Sequence, residues 1–186
     1  MEIKKGWDDM KKLSLAIFAA VIIFTTNMSL AFADVVEISE ESGMQMARAI
    51  QNRVPNATYI NVEESNEDGI EKIIVVGVPF DYSGESALLS IYENGAGHVS
   101  KVYALCTFGD KGSIHKASRL VTAVFREIGL SESEMTALLN QHSIDGDPDK
   151  RFSDVWCQKA NRRIGYTLAL KRAENALMHS IRASDI

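Results

Sequence analysis

The chain of 186 residues holds only two cysteines, three prolines and two tryptophans. It contains no Cys-x-x-Cys, His-Glu-x-x-His or Gly-x-Ser-x-Gly, so the common zinc sets, the zinc-protease helix and the serine-hydrolase elbow are not encoded locally. Beyond residue 33 there is no uncharged run near the roughly 20 residues that a membrane span needs. Positive charge is scarce in residues 34–100, which hold 12 acids against 3 bases, whereas residues 101–186 hold 10 against 13. Together these residues carry 22 acidic and 16 basic side chains, a net of −6, which gives nucleic acid no electrostatic footing as a partner. The opposite excesses either hold the two parts together or intermix on the surface.

The first 33 residues read as an export signal. Lys11 and Lys12 open it, residues 13–24 carry no charge, and Ala31-Phe32-Ala33 forms a small-x-small cleavage site before Asp34. Asp8 and Asp9 suit such a segment poorly, and a start at Met10 suits it well. The competing reading is a retained anchor, because the uncharged stretch 13–33 just reaches spanning length. Thr25, Thr26, Asn27 and Ser29 make its second half polar, which favours cleavage. No cysteine stands near the cut, which excludes lipid attachment through one, and the Lys-Lys start is of bacterial type. The expected location is therefore periplasm or medium, with membrane contact only through this segment if it stays uncleaved. Residues 34–186 are the size of one domain.

An even cysteine count in an exported chain predicts a disulfide between Cys106 and Cys157. Both lie in stretches that read as strands, and the closed loop of about 52 residues would make such a bond worth on the order of 4 kcal/mol. Two buried thiols are the alternative. A redox pair lacks both the spacing and a helix start to stabilise a thiolate.

Periodicity gives the element order. Ser39, followed by Glu40 and Glu41, reads as the cap of a first helix running to Arg53, closed by Pro55. Residues 59–63, 70–80, 87–93 and 99–108 alternate as four strands, with turns at 66–69, 81–84 and 94–97. The run Ile73-Ile74-Val75-Val76 suits a strand covered on both faces, and the short connections imply antiparallel pairing. From Asp110, Ile114, Ala117, Val121, Val124, Phe125 and Ile128 recur at helical spacing up to Gly129. Ser131 and Glu134 form a capping box for a third helix. A polar loop 142–150 follows, then strands at 155–158, 164–171 and 176–182. The last of these reads as a strand or a short helix, and its alternation favours strand. The expected fold is α+β: one N-terminal helix, four strands, a helix pair, then two or three strands on an antiparallel sheet. The two halves read as a loose duplication of a helix-then-strands unit, similar in outline to cystatin-like modules or to two such units in tandem, with no matching residue motif between the halves.

Candidate chemistry is thin. Asp145, Asp147 and Asp149 place three carboxylates at alternate loop positions, as a calcium loop does, but Lys150 and Trp156 stand where glycine and glutamate are needed. Calcium is the one cofactor this chain suggests, against an ordinary acidic loop. The four histidines, His98, His115, His142 and His179, keep no metal spacing. Ser86 lies in a hairpin region and lacks the elbow, and Asn94-Gly95-Ala96-Gly97 reads as a hairpin turn. The two central helices resemble a helix-turn-helix only superficially, given the charge balance. Lys159, Arg162 and Arg163 form a basic tip around Asn161, suited to an acidic partner, lipid headgroups or cell-wall polymer, or to plain solvent. The expected function is non-catalytic binding of an envelope protein or small ligand. The rivals are a hydrolase assembled from His98, His115, Asp81 and Asp110, and a secreted inhibitor or immunity-type factor presenting its hairpin tips.

Overall fold

The computed structural model describes residues 36–54, 56–67, 69–78, 87–107, 111–140, 150–171 and 176–184. Val35–Ile186 form one compact unit. The elements run α1 (Gly43–Arg53), β1 (Thr58–Glu64), β2 (Ile70–Val78), β3 (Ala87–Asn94), β4 (Val99–Thr107), α2 (Lys111–Glu127), α3 (Glu132–Asn140), β5 (Lys150–Cys157), β6 (Arg162–Lys171) and β7 (Ala176–Ala183). This is the α+β order expected, and the last element is a strand. The segment read as an export signal and the three loop aspartates lie outside the described residues, as do Asp81, Asp110 and His142. Among the described residues no helix is long and apolar enough to cross a membrane.

The seven strands form one antiparallel sheet in the order β1-β2-β3-β4-β7-β6-β5. Two meanders meet where β4 pairs with β7, Val102 opposite Ile181 and Ala104 opposite His179. Because strand side chains alternate, one face gathers Ile74 and Val76 from β2, Leu89 and Ile91 from β3, Val102, Ala104 and Cys106 from β4, and Ile164, Tyr166 and Ile181 beyond. The helices cover this face: Met46, Ala47 and Ile50 of α1 and Ala117, Leu120, Val121, Val124 and Phe125 of α2 are buried in the same cluster. On the other face Val75 is 4% exposed, so β2 is covered on both sides, as its apolar run implies.

The helix ends obey local chemistry. Ser42, not Ser39, caps α1, in a reciprocal box with Gln45. Ser39 instead bridges to Val99, and its hydroxyl accepts from the Glu41 amide at 3.2 Å. The reason is that residues 38–41 are tied to the start of β4, Ile38 N–H donating to the Val99 carbonyl at 2.7 Å, and the helix begins only past that tie. Gly43 lets α1 sit on the sheet, since a Cβ there would collide with Ile74. Its amide donates to Glu93 Oε2 at 2.8 Å, which sets a carboxylate against the helix start. Gly129, at φ +88°, closes α2 with both Schellman bonds, Gly129 N–H to Arg126 and Leu130 N–H to Phe125. Ser131 and Glu134 form the expected box at α3, Glu134 N–H donating to Ser131 Oγ at 3.3 Å and Ser131 N–H to Glu134 Oε2 at 2.6 Å.

The expected disulfide is not formed. Cys106 sits opposite Leu177, which sits opposite Leu170, whereas Cys157 sits opposite Arg162 at the other end of β6. Three strand spacings and eight positions along the strand separate them, roughly 14 Å by 26 Å, against a limit near 7 Å between bonded cysteines. Both are buried thiols. Cys157 Sγ donates to the Ile128 carbonyl at 3.5 Å and so serves an orphan group at the end of α2. Cys106 Sγ lies 3.7 Å from the Leu177 carbonyl.

Candidate functional site

At the end of the helix layer where α2 stops, a cavity of about 400 Å³ opens between residues 37–45, the last turn of α2 and the β5–β6 turn. Its apolar floor is Ile38, Ile128 and Ala160. Its polar wall carries Glu37, Glu40, Glu41 and Glu127 against Lys159 and Arg162. Each side chain is held by an identifiable local cause. The 38–41 segment is fixed by the ties to Val99, including Val99 N–H to the Glu41 carbonyl at 3.1 Å. The stem of Lys159 packs over Gly129, where any side chain would collide with it. Arg162 is the first residue of β6, and its guanidinium donates to the Glu37 carbonyl and approaches Glu37 Oε1 at 3.5 Å.

The charges are unevenly satisfied. Glu37 faces Arg162 and, at 3.9 Å, His98 Nδ1. Glu127 is paired with Arg53 from the last turn of α1. Glu40, Glu41 and Lys159 have no ion-pair partner among the described residues. The wall therefore presents two uncommitted carboxylates across from one uncommitted ammonium. It contains no cysteine, serine–histidine pair or other activated nucleophile. The Glu37–Arg162 and Glu67–Lys101 pairs run from an acid in residues 34–100 to a base in residues 101–186, while Arg53–Glu127 runs the other way.

The structure divides the basic tip. Lys159 and Arg162 share the cavity, whereas Arg163, one step along β6, projects to the opposite face, where its Nε donates to Asp154 Oδ2 at 3.0 Å. His98 lies beside the cavity at the β3–β4 turn, while His115 is exposed near the start of α2, past the far end of β4, so these two do not converge. Among the described residues no group of three or more metal-binding side chains assembles. Asp154, the carboxylate on β5 that follows the acidic loop, is occupied by Arg163 and by Ser184 Oγ at 3.4 Å.

Sequence reasoning missed two groups. The first is the acidic stretch 37–41: Glu40 and Glu41, which read with Ser39 as a helix start, instead line the cavity together with Glu37. The second sits on the sheet face away from the helices. Lys101 pairs with Glu67 and lies 4.7 Å from the Tyr92 ring centroid and 5.7 Å from that of Tyr103. The two rings meet edge to face at 5.3 Å. Burial raises the pKa of both phenols, and Glu67 adds to the effect, so both stay neutral. The Tyr92 hydroxyl and Glu67 Oε2 are buried without a hydrogen-bond partner among the described residues. A lysine in mid-strand is the signal that marks such a cluster.

No protein-family model and no curated protein matches this chain. The chemistry of the cavity stands on its geometry.

Proposed function

We propose that the protein is an exported, non-catalytic binding module whose cavity takes a small ligand bearing an amine together with an acid group, in the class of amino acids and short peptides. The observation that carries this reading is the pairing, in one cavity of about 400 Å³, of the uncommitted Glu40 and Glu41 carboxylates with the uncommitted Lys159 ammonium over an apolar floor. A ligand amine answers the carboxylates, a ligand carboxylate answers Lys159, and a short aliphatic body fills the floor. The export half of the reading rests on the first 33 residues of the sequence.

One sample tests both halves. The protein is recovered from the envelope fraction of its host, weighed, and titrated with lysine and with lysyl dipeptides while backbone amides are followed by NMR. The expected mass is that of residues 34–186 with both thiols reduced. The expected shifts cluster at 37–45 and 159–160, and Glu41→Gln weakens binding about tenfold, the scale of one charge-assisted hydrogen bond. An uncut mass removes the export half, and amides unmoved by millimolar lysine and dipeptide remove the ligand half.

A further inference from the structure

We infer that β5 is a self-association edge, at which two copies of the chain join antiparallel about a twofold axis through Asp154. The backbone gives the first reason. Among the described residues β5 is the last strand of the sheet, paired only with β6. Ser184 N–H donates to the Arg163 carbonyl at 2.9 Å, so the odd residues of β6 direct their backbone groups toward β7 and the even residues toward β5. Cys157, Val155 and Ser153, opposite Arg162, Ile164 and Tyr166, therefore bond inward. Phe152, Asp154 and Trp156 direct their N–H and carbonyl groups outward, where no described residue bonds them. Such an edge is a template for another strand.

The side chains give the second reason. The same three residues project on the sheet face away from the helices, with Phe152 40% and Trp156 51% exposed. Leu139, 41% exposed, sits on α3, which packs against β5. Of the four large apolar side chains exposed among the described residues, two stand on this strand and a third on the helix over its other face.

The third reason is self-complementarity. A twofold axis through Asp154 sets Phe152 opposite the second copy's Trp156 and Trp156 opposite its Phe152, two identical aromatic cross-strand pairs from one operation. The Phe152–Trp156 and Asp154–Asp154 pairs of this register are of the kind that exchanges both backbone bonds, and they alternate with Ser153–Val155 pairs that do not. A shift of two residues either way loses both aromatic pairs. The facing Asp154 carboxylates enter already neutralised, each held by its own Arg163 at 3.0 Å.

The test uses the full chain with its own cysteines, which are buried. Sedimentation velocity at tens of micromolar is expected to show a dimer, and Phe152→Lys with Trp156→Lys is expected to raise its dissociation constant at least a hundredfold with an unchanged circular dichroism spectrum. Asp154→Cys is expected to cross-link into a dimer under mild oxidation, because only that position meets itself, while Phe152→Cys cross-links at least tenfold more slowly. A wild-type monomer at these concentrations overturns the inference, whether or not the edge then captures an extended peptide. So does a dimer that survives the double lysine variant, or equal cross-linking of the two cysteine variants.

Discussion

On the helix-covered face of the sheet, packing is apolar and the buried phenol is matched: Phe125, wholly buried, meets Tyr166 edge to face at 5.6 Å, and the Tyr166 hydroxyl is bonded to His179 Nδ1 at 2.7 Å. On the other face, β3 and β4 bury a second tyrosine, Tyr92, under a lysine–glutamate pair, and its hydroxyl has no described partner. Both phenols are equally desolvated, and burial raises the pKa of each. The difference teaches that burial alone does not say what a polar atom contributes; the partner decides.

The largest effect expected from this contrast falls on the helix face. Phe125→Ala empties a site shared by α2 and β6 and should cost about 3–5 kcal/mol, read as a lowered denaturant midpoint at constant slope. A cost under about 1.5 kcal/mol would mean that the helix layer is not the main core, and would break the comparison. The next test sets the two tyrosines side by side. Tyr166→Phe should cost about 1–2 kcal/mol, because it strips His179 Nδ1 of its bond in the interior. Tyr92→Phe should be neutral or stabilising by up to about 1 kcal/mol, because it removes a buried hydroxyl that bonds nothing described. Because burial raises the pKa of Tyr92, the fold bears no ionisation penalty below the unfolded phenol value near 10 and loses stability as pH rises beyond it. Tyr92→Phe should therefore also flatten the alkaline limb of the stability curve, and equal losses in the two variants would erase the distinction between the faces.

Much of this architecture was legible because its causes are local. Gly129 and the Ser131–Glu134 box stand where the helix ends require them, and the strands follow period two. The misplaced cap at Ser39 was also avoidable, since Ser42 and Gln45 carry the complete box three residues on. What stayed hidden depends on strand order. Cys106 and Cys157 read as a pair only while β4 and β5 are free to be neighbours, and the insertion of β7 and β6 between them is fixed by packing far from either cysteine. The cavity was hidden for the same reason: Glu40 and Lys159 are over a hundred positions apart and meet only because residues 38–41 bind the start of β4 while Lys159 folds over Gly129. Arg162 and Arg163, adjacent in sequence, fall on opposite faces, since no tip survives when the strand starts two residues earlier than its apolar pattern.

The smallest effect sharpens the comparison where the helix layer reaches the edge of the sheet. Glu134 on α3 closes its capping box on Ser131 and also accepts from the Gln158 amide at 3.2 Å, latching the helix to the end of β5. The Ser131 hydroxyl and then its amide hold the Glu134 carboxyl below its ordinary value. A lowered carboxylate pKa gives stability that is present above the unfolded value near 4.3 and is lost as pH falls through the folded one. Because the group is largely in solvent, Glu134→Gln should cost only about 0.5 kcal/mol at pH 7. The same variant should match the wild type at pH 2–3, where the wild-type carboxyl is itself protonated. A difference that persists unchanged at low pH would show that the latch acts by shape and not by charge, and would place the junction of α3 and β5 with the packed face of the sheet.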